Sequence, residues 1–241
     1  MINVVIPMAG RGQRFVEAGY DNPKPMIDVC GVPMIKRVID SLTSKYNKCN
    51  FIFIALQEHL DNGLKEFLEQ QGTIIPLDIV TEGAACTTLM ALKQINNDTP
   101  LVIANCDQYL EWDFDEYIEK AKDQDGSLVV FNSTNPHHSY AKLKQKQVVQ
   151  VAEKVVISDK ACAGIYYFKK GSDYIESVVM MIAKNIRTNN EFYIAPAYNE
   201  LIQDGGKVSI YEVDVNKKHM LGTPYELEIF LDKVENGEVT L

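Results

Sequence analysis

A chain of 241 residues that is 46% hydrophobic and 24% charged has the balance of a globular protein able to bury a sizeable core. Its formal net charge of −9 and pI near 5.0 exclude the broad basic footprint of a nucleic-acid binder, so any phosphate chemistry must be local. No apolar run approaches the ~18–20 residues that span a bilayer, no basic segment with a following apolar stretch marks export, and the cysteines are scattered without metal-ligand spacing. The expectations are no membrane association, free thiols and a cytoplasmic location.

In chain order, the apolar runs at 3–8, 51–56, 76–80, 100–105 and 127–131 are short, rich in β-branched residues and bounded by turn signals, as buried strands are. Between the first four, helical spacing recurs in Ile35, Val38, Ile39 and Leu42, then Leu60, Leu64, Phe67 and Leu68, then Leu89, Leu92 and Ile95. This alternation predicts an α/β fold, a Rossmann-like, mostly parallel mixed sheet flanked by helices. Past Phe131, residues 140–158 alternate like an exposed strand pair and 161–171 reads as a strand ending in a basic turn. Helical patterns follow at 172–187 and 192–204, then a strand at 207–215. Thr223 and Pro224 suit the N-cap and first position of a last helix within 221–234. No repeat, low-complexity tract or linker interrupts the chain, so one domain over 1–241 is expected.

The first strand runs into Gly10-Arg11-Gly12-Gln13-Arg14-Phe15, with Pro23-Lys24-Pro25 shortly after. Two glycines let the backbone turn and bring bare N–H groups together, as phosphate-cradling loops do. A dinucleotide fingerprint would need a third glycine where Phe15 stands, and a P-loop would need Lys and Ser/Thr where Gln13-Arg14 stand. What remains is a loop with Arg11, Arg14 and a lysine whose flanking prolines fix φ. Rigidly placed cations suit a polyphosphate whose charge rises during reaction.

These motifs, G-x-G-x-R-F with P-K-P, resemble those of the sugar-nucleotidyltransferase family of pyrophosphorylases. Residues 81–92, 104–110, Glu153-Lys154, 163–168, 191–202 and 221–227 match further family segments in order, covering nearly the whole chain. The resemblance implies a nucleotidyltransferase (glycosyltransferase-A-like) fold, with 1–131 as nucleotide-binding half and 132–241 as acceptor-binding half. It implies attack by an acceptor's phosphate oxygen on the α-phosphorus of a nucleoside triphosphate, with pyrophosphate leaving and Mg²⁺ assisting. A phosphate monoester, with a second pKa near ~6, is already largely a dianion at neutral pH, which explains why no Ser-His or Cys-His nucleophile is needed.

By the same resemblance, Arg14, Lys24 and Asp107 are the catalytic set. Met8, Ala9, Gly10, Arg11, Gly12, Glu82, Gly83 and Asn105 line the nucleotide, Gly83 letting the base approach the loop. Lys154 meets the phosphate of the acceptor and Glu153 a polar group on it, with Gly164, Glu191 and Tyr193 also at the acceptor. Asp107 and Asp214 are the metal carboxylates, Asp214 because His219-Met220-Leu221 stand where many members carry an aspartate. Tyr166, Tyr167, Phe192, Tyr193 and Tyr198 divide between core and pocket wall. His59, His137 and His138 read as surface or lid residues.

Asn105-Cys106 before Asp107, where many members have Gly-Asp, points toward cytidylyltransferase branches and CTP. Overall texture is most similar to the phosphoglutamine cytidylyltransferases of bacterial capsule biosynthesis, which implies L-glutamine phosphate as acceptor and CDP-L-glutamine as product. Glu153, Glu191, Lys142, Lys160 and Arg187 are the charges available for such an amino-acid acceptor. A sugar 1-phosphate acceptor with UTP, dTTP or CTP stays open, as does a nucleotide-binding regulator without turnover. Val178-Val179 and Met180-Met181 offer a possible homodimer face or ordinary core.

Overall fold

The computed structural model describes residues 1–241. Strand β1 (Ile2–Met8) is buried along almost its whole length because it has a parallel neighbour on each side, β2 (Cys49–Leu56) and β4 (Leu101–Ala104). Its side chains alternate between faces. Val4 and Ile6 pack toward Ile35, Val38 and Ile39 of helix α2 (Met34–Ser41), and Val5 packs into the opposite core. Each such buried aliphatic contributes roughly 1.5–3 kcal/mol of transfer free energy.

Between β1 and α2 lies the short helix α1 (Gln13–Glu17). Following β2 come α3 (Gln57–His59) and α4 (Lys65–Glu69), and β3 (Thr73–Leu77) closes that edge of the sheet. Next are α5 (Ala84–Leu89) and α6 (Leu92–Ile95) before β4, then β5 (Gln108–Leu110), α7 (Phe114–Ala121) and β6 (Gly126–Asn132). The second half supplies β7 (Ser139–Lys144), β8 (Gln147–Glu153), β9 (Lys160–Phe168), α8 (Gly171–Ala183), α9 (Tyr198–Gln203), β10 (Val208–Glu212), β11 (Lys218–Met220) and α10 (Pro224–Glu235).

The main sheet runs β10-β6-β9-β4-β1-β2-β3, with β9 antiparallel to both β4 and β6 and the other neighbours on this path parallel. A strand of the second half is therefore inserted between two of the first. The β7-β8 hairpin turns through Gln145 and Lys146, both at positive φ, as a tight two-residue hairpin requires.

Several elements differ from the sequence reading. β3 starts and stops three residues earlier than expected because its partner β2 ends at Leu56, opposite Leu77; Ile79 and Val80 are left exposed. The 60–68 helix breaks at Asn62 and Gly63, Gly63 having φ 90°. The 192–204 helix begins as a 3-10 turn at Ala195–Ala197, around Pro196, and becomes α-helical only from Tyr198. β5, β11 and α7 were not foreseen, although Asp113 caps α7 by accepting from the Glu116 N–H at 3.0 Å. Val178 and Met181 are buried while Val179 and Met180 are exposed, so the four do not form one outward face.

A third, smaller core matters most for function. Phe15, Ile27, Val29 and Met34 from the opening loop pack with Leu221, Leu227 and Phe230, holding that loop against α10. All five cysteines are free thiols. No helix is long and apolar enough to cross a membrane.

Candidate active site

β1 ends at Met8, and the chain turns through exposed Gly10 to Gly12, which has φ 65° and begins α1. A Cβ on Gly12 would stand 3.1 Å from the Lys24 Cβ, whereas one on Gly10 would meet nothing within 4 Å. Gly12 is thus the glycine the loop requires. Arg11, Gly12, Phe15, Pro23 and Lys24 line a cavity of about 260 Å³, with Glu58 and His59 on its far wall. Arg14 is exposed on α1, and neither it nor Arg11 pairs with a carboxylate.

Lys24 points inward from a 3-10 turn whose next residue, Pro25, is buried. Its Nζ donates to Asp107 Oδ2 at 2.6 Å and to the Gly222 carbonyl at 3.2 Å. Burial, the largest single influence, pushes its pKa down, but the attraction and hydrogen bond of Asp107 together with the pull of the other acidic groups around it, Glu226 among them, outweigh it, and the net value is raised above the usual lysine range. Asp107 stands just past the end of β4, where a parallel sheet opens its ligand crevice.

Gly83 lies at φ 128°, and its glycine is demanded by the Phe192 backbone: an added Cβ would stand 2.5 Å from the Phe192 carbonyl oxygen. The Phe192 N–H donates to the Glu82 carbonyl and the Ala85 N–H to the Phe192 carbonyl, clamping the loop to the second half. The base-approach role expected of Gly83 is therefore joined by a packing role. With Ala9, Gly10, Thr81 and Thr87 it lines a cavity of about 180 Å³, which Glu191 also borders. The Glu82 carboxylate turns to Arg187, 2.5 Å away, whose guanidinium lies 3.9 Å from the Phe192 ring centre.

A further cavity of about 270 Å³ is lined by Asn105, Glu153, Lys154, Gly164 and Tyr193, together with Gln108, His138 and Lys218. Gly164, at φ 74°, lies against Asn105; a Cβ there would come within 2.4 Å of the Asn105 Nδ2. Glu153 is buried at the end of β8, and desolvation raises its pKa although the Ser139 hydroxyl donates to it and Lys154 is near. Lys154, held at φ 56°, donates to the Tyr193 hydroxyl at 2.6 Å, which in turn donates to Glu191 at 2.5 Å. Tyr166 lines this cavity, while Tyr167 and Tyr198 belong to the core, the Tyr198 hydroxyl donating to the Ser127 and Tyr167 carbonyls.

A cation-rich loop after β1, a carboxylate at the end of β4 and a second cavity beyond it form one arrangement, and the family model for the MobA-like NTP transferase domain matches residues 4–166. The chain belongs to this family. The nucleoside-diphosphate-sugar pyrophosphorylase of Vibrio cholerae is 28% identical, with a TM-score of 0.83 over 95% of this chain and 99% of that one. The bifunctional protein GlmU of Methanococcus aeolicus is 25% identical over 90% of this chain and 52% of its own length. The inositol-1-phosphate CTP transferase of T. maritima, 13% identical with a TM-score of 0.73 over 99% of this chain and 98% of its own, shares the fold. The chain spans about half the length of the curated relatives it matches.

In this NTP transferase the metal carboxylate expected at Asp214 is corrected. Asp214 is exposed, and its Oδ1 accepts from the backbone and side chain of Asn216, capping its own turn. It precedes Lys218, which pairs with Leu110, whereas Asp107 adjoins the other end of that short ladder, where Met220 pairs with Gln108. The carboxylate that does approach Asp107 is Glu226: both Asp107 Oδ2 and Glu226 Oε2 lie 3.2 Å from where a Cβ on Gly222 would stand. Glu226 is held by a capping box, its N–H donating to Thr223 Oγ1 and its carboxylate accepting from that hydroxyl at 2.9 Å. Two hard carboxylates beside a backbone carbonyl, a cluster that already draws in the Lys24 ammonium, are the donor types that would hold a Mg²⁺.

Of the charges available to an amino-acid acceptor, Glu153 lines the same cavity as Lys154, and Glu191 is linked to Lys154 through the Tyr193 hydroxyl. Lys142 is exposed on the hairpin, Lys160 pairs with Glu212 at 2.8 Å, and Arg187 is committed to Glu82. Sequence reading missed Glu226, Gln108 and Lys218. The T-x-x-E spacing at 223–226 was the available signal for the first; the other two are set by the pairing of β5 with β11.

Proposed function

We propose that this chain joins a nucleoside triphosphate, with CTP preferred, to a phosphorylated small metabolite and releases pyrophosphate. The observation that carries the reading is the Lys24 to Asp107 ion pair at 2.6 Å. Lys24 lines the loop cavity, and Asn105 and Gln108, on either side of Asp107 in sequence, line the second cavity. In this reading the pair stands between the two substrates.

The triphosphate lies along the backbone from Met8 to Gly12, with Arg11 and Arg14 free to take its outer oxygens and the base against Gly83 and Thr87. A dianionic acceptor phosphate needs no proton removed. One of its oxygens forms the new bond to the α-phosphorus while the bond from that phosphorus to the β-bridging oxygen breaks, and pyrophosphate carries the electron pair away. Lys24 neutralises the charge that builds on the leaving group, and positioning does the rest. Asp107 and Glu226 would hold Mg²⁺, which when bound supplies charge neutralisation at the phosphate oxygens. Glu153, Lys154 and the Tyr193 to Glu191 relay hold the acceptor.

The acceptor we favour is L-glutamine phosphate, giving CDP-L-glutamine for capsule biosynthesis: Glu153 and Glu191 offer partners for its ammonium and Lys154 a cation for an anionic group. A sugar 1-phosphate is the second reading, favoured by the Vibrio cholerae relative, which aligns over nearly its full length.

The test is pyrophosphate release with Mg²⁺ over four triphosphates and a panel of L-glutamine phosphate and hexose 1-phosphates. Release with CTP and L-glutamine phosphate is expected. Release confined to UTP or dTTP with a hexose 1-phosphate would replace both specificities, and no release with any pair would leave a nucleotide-binding regulator.

A further inference from the structure

Lys218 is a cation without an anion. No carboxylate pairs with it; its ammonium contacts the Met220 sulfur, a weak acceptor, and lies 4.5 Å from the Phe131 ring centre. Burial drives its pKa down to about 8, with Asp107 and Glu226 only partly opposing the shift. An unpaired, desolvated ammonium is costly, and where it lines a cavity the natural compensation is an anionic ligand.

The register supplies a companion. In the antiparallel ladder Lys218 pairs with Leu110 and Met220 with Gln108, so Lys218, Met220 and Gln108 project from one face while His219 and Tyr109 project from the other. Gln108 is 2% exposed, yet its Nε2 has no hydrogen-bond partner. A buried amide donor left unmade costs on the order of 1–3 kcal/mol, so it too is waiting for an acceptor. Both side chains line the acceptor cavity. The other lysine there, Lys154, donates to the neutral Tyr193 hydroxyl.

We infer that Lys218 and Gln108 bind the phosphate group of the acceptor at the Asp107 end of its cavity, in addition to Lys154. The assignment to phosphate rests on place: Gln108 directly follows Asp107, Met220 pairs with Gln108, and Lys218 stands two residues before Met220 on the same face; in the proposed reaction, on which this inference depends, the attacking phosphate must lie next to Asp107. The charge of Lys218 there offsets the repulsion between two phosphates brought into contact.

The experiment first saturates the protein with a non-hydrolysable α,β-methylene analogue of CTP and Mg²⁺, filling the loop site, then titrates inorganic phosphate by calorimetry. Wild type should bind both. Lys218→Met, which removes a costly charge and so should fold, should keep the analogue affinity within twofold and lose phosphate affinity at least tenfold. Lys218→Gln should lose it similarly, and Gln108→Leu severalfold. Phosphate affinity unchanged in both Lys218 variants, with analogue binding intact, would overturn the inference and leave the proposed function standing. Wild type binding neither CTP nor any other triphosphate analogue would overturn both. Titration of L-glutamine, which has a carboxylate but no phosphate, separates the anions: a dependence on Lys218 confined to L-glutamine would refute the phosphate assignment.

Discussion

Lys24 Nζ and Asp107 Oδ2 lie 2.6 Å apart although 83 residues separate them, tying the loop after β1 to the end of β4. Because Asp107 and its acidic neighbours together outweigh burial, Lys24 stays charged well past neutral pH. Replacing it with Ala should lower kcat by about 10²–10³-fold, the scale of losing one preorganised charge contact in a transition state, with a smaller change in acceptor KM. Steady-state kinetics with the acceptor varied will show this, and unchanged kcat with a raised acceptor KM would refute the role. No ionisation of Lys24 should appear in the rate profile between pH 6 and 10.

Two of the three glycines expected to serve the nucleotide, Gly83 and Gly10, differ in what they tolerate. Gly83→Ala forces a Cβ to 2.5 Å from the Phe192 carbonyl at a φ that side chains avoid, so it should cost at least about 2 kcal/mol. At about 2–4 °C per kcal/mol for a domain of this size, the loss is plain in a melting curve. Gly10→Ala has open space and no positive φ, and its melting temperature should stay within about 1–2 °C of wild type, the span of a neutral surface change.

Glu226→Gln separates cap from metal. Glutamine preserves the capping box, so stability should hold, while loss of one hard anionic donor should raise the Mg²⁺ concentration for half-maximal activity by about tenfold or more. Asp214→Asn, at a self-capped exposed turn, should leave that concentration unchanged. A Mg²⁺ dependence moved by Asp214 and not by Glu226 would reverse the assignment.

These residues also show what the chain made legible. Lys24 and Asp107 could be singled out as candidates because each sits beside a local marker: prolines flank one, and an apolar strand ends just before the other. Glu226 had a marker, the T-x-x-E spacing, but it signals a helix start and says nothing of which carboxylate the helix brings near Asp107. Lys218 and Gln108 had none. β5 and β11 are three residues each and pair across about half the chain, so neither shows the sustained alternation that reveals a strand. Asp214 is the nearest acid preceding Gly222-Thr223, but Lys218 to Met220 carry the chain past Leu110 before it reaches Asp107.

Glu153 gives a pH signature whose sign follows from its surroundings. Burial raises its pKa above 4.5, so the folded protein holds its proton more tightly than the unfolded chain. Its contribution to stability is therefore greatest below pH 4.5, falls as pH rises through the folded value, and is at its lowest at neutral pH. Glu153→Gln removes that penalty. The variant should melt higher at pH 7, by about 2–4 °C per kcal/mol recovered, with a smaller difference at pH 4. The same change should weaken acceptor binding, measured as a raised acceptor KM, making this a site where function is retained at the expense of stability.

Arg187 and Glu82 join the base loop to the segment that carries Tyr193, at 2.5 Å, but the two ends of this bridge are unequal. Glu82 is two-thirds exposed, and an ion pair so placed contributes about 0–1 kcal/mol. Arg187 also lies 3.9 Å from the Phe192 ring centre, a stacking contact that adds about 0.5–1 kcal/mol and needs no carboxylate. Glu82→Ala should therefore change the melting temperature little, and Arg187→Ala should lower it by several degrees. Because Phe192 N–H and C=O hold the loop at Glu82 and Ala85, loosening the ring should also loosen the base pocket. We expect Arg187→Ala to raise the triphosphate KM more than the acceptor KM; equal effects of the two substitutions on stability would show that the ion pair, and not the stacking, carries the bridge.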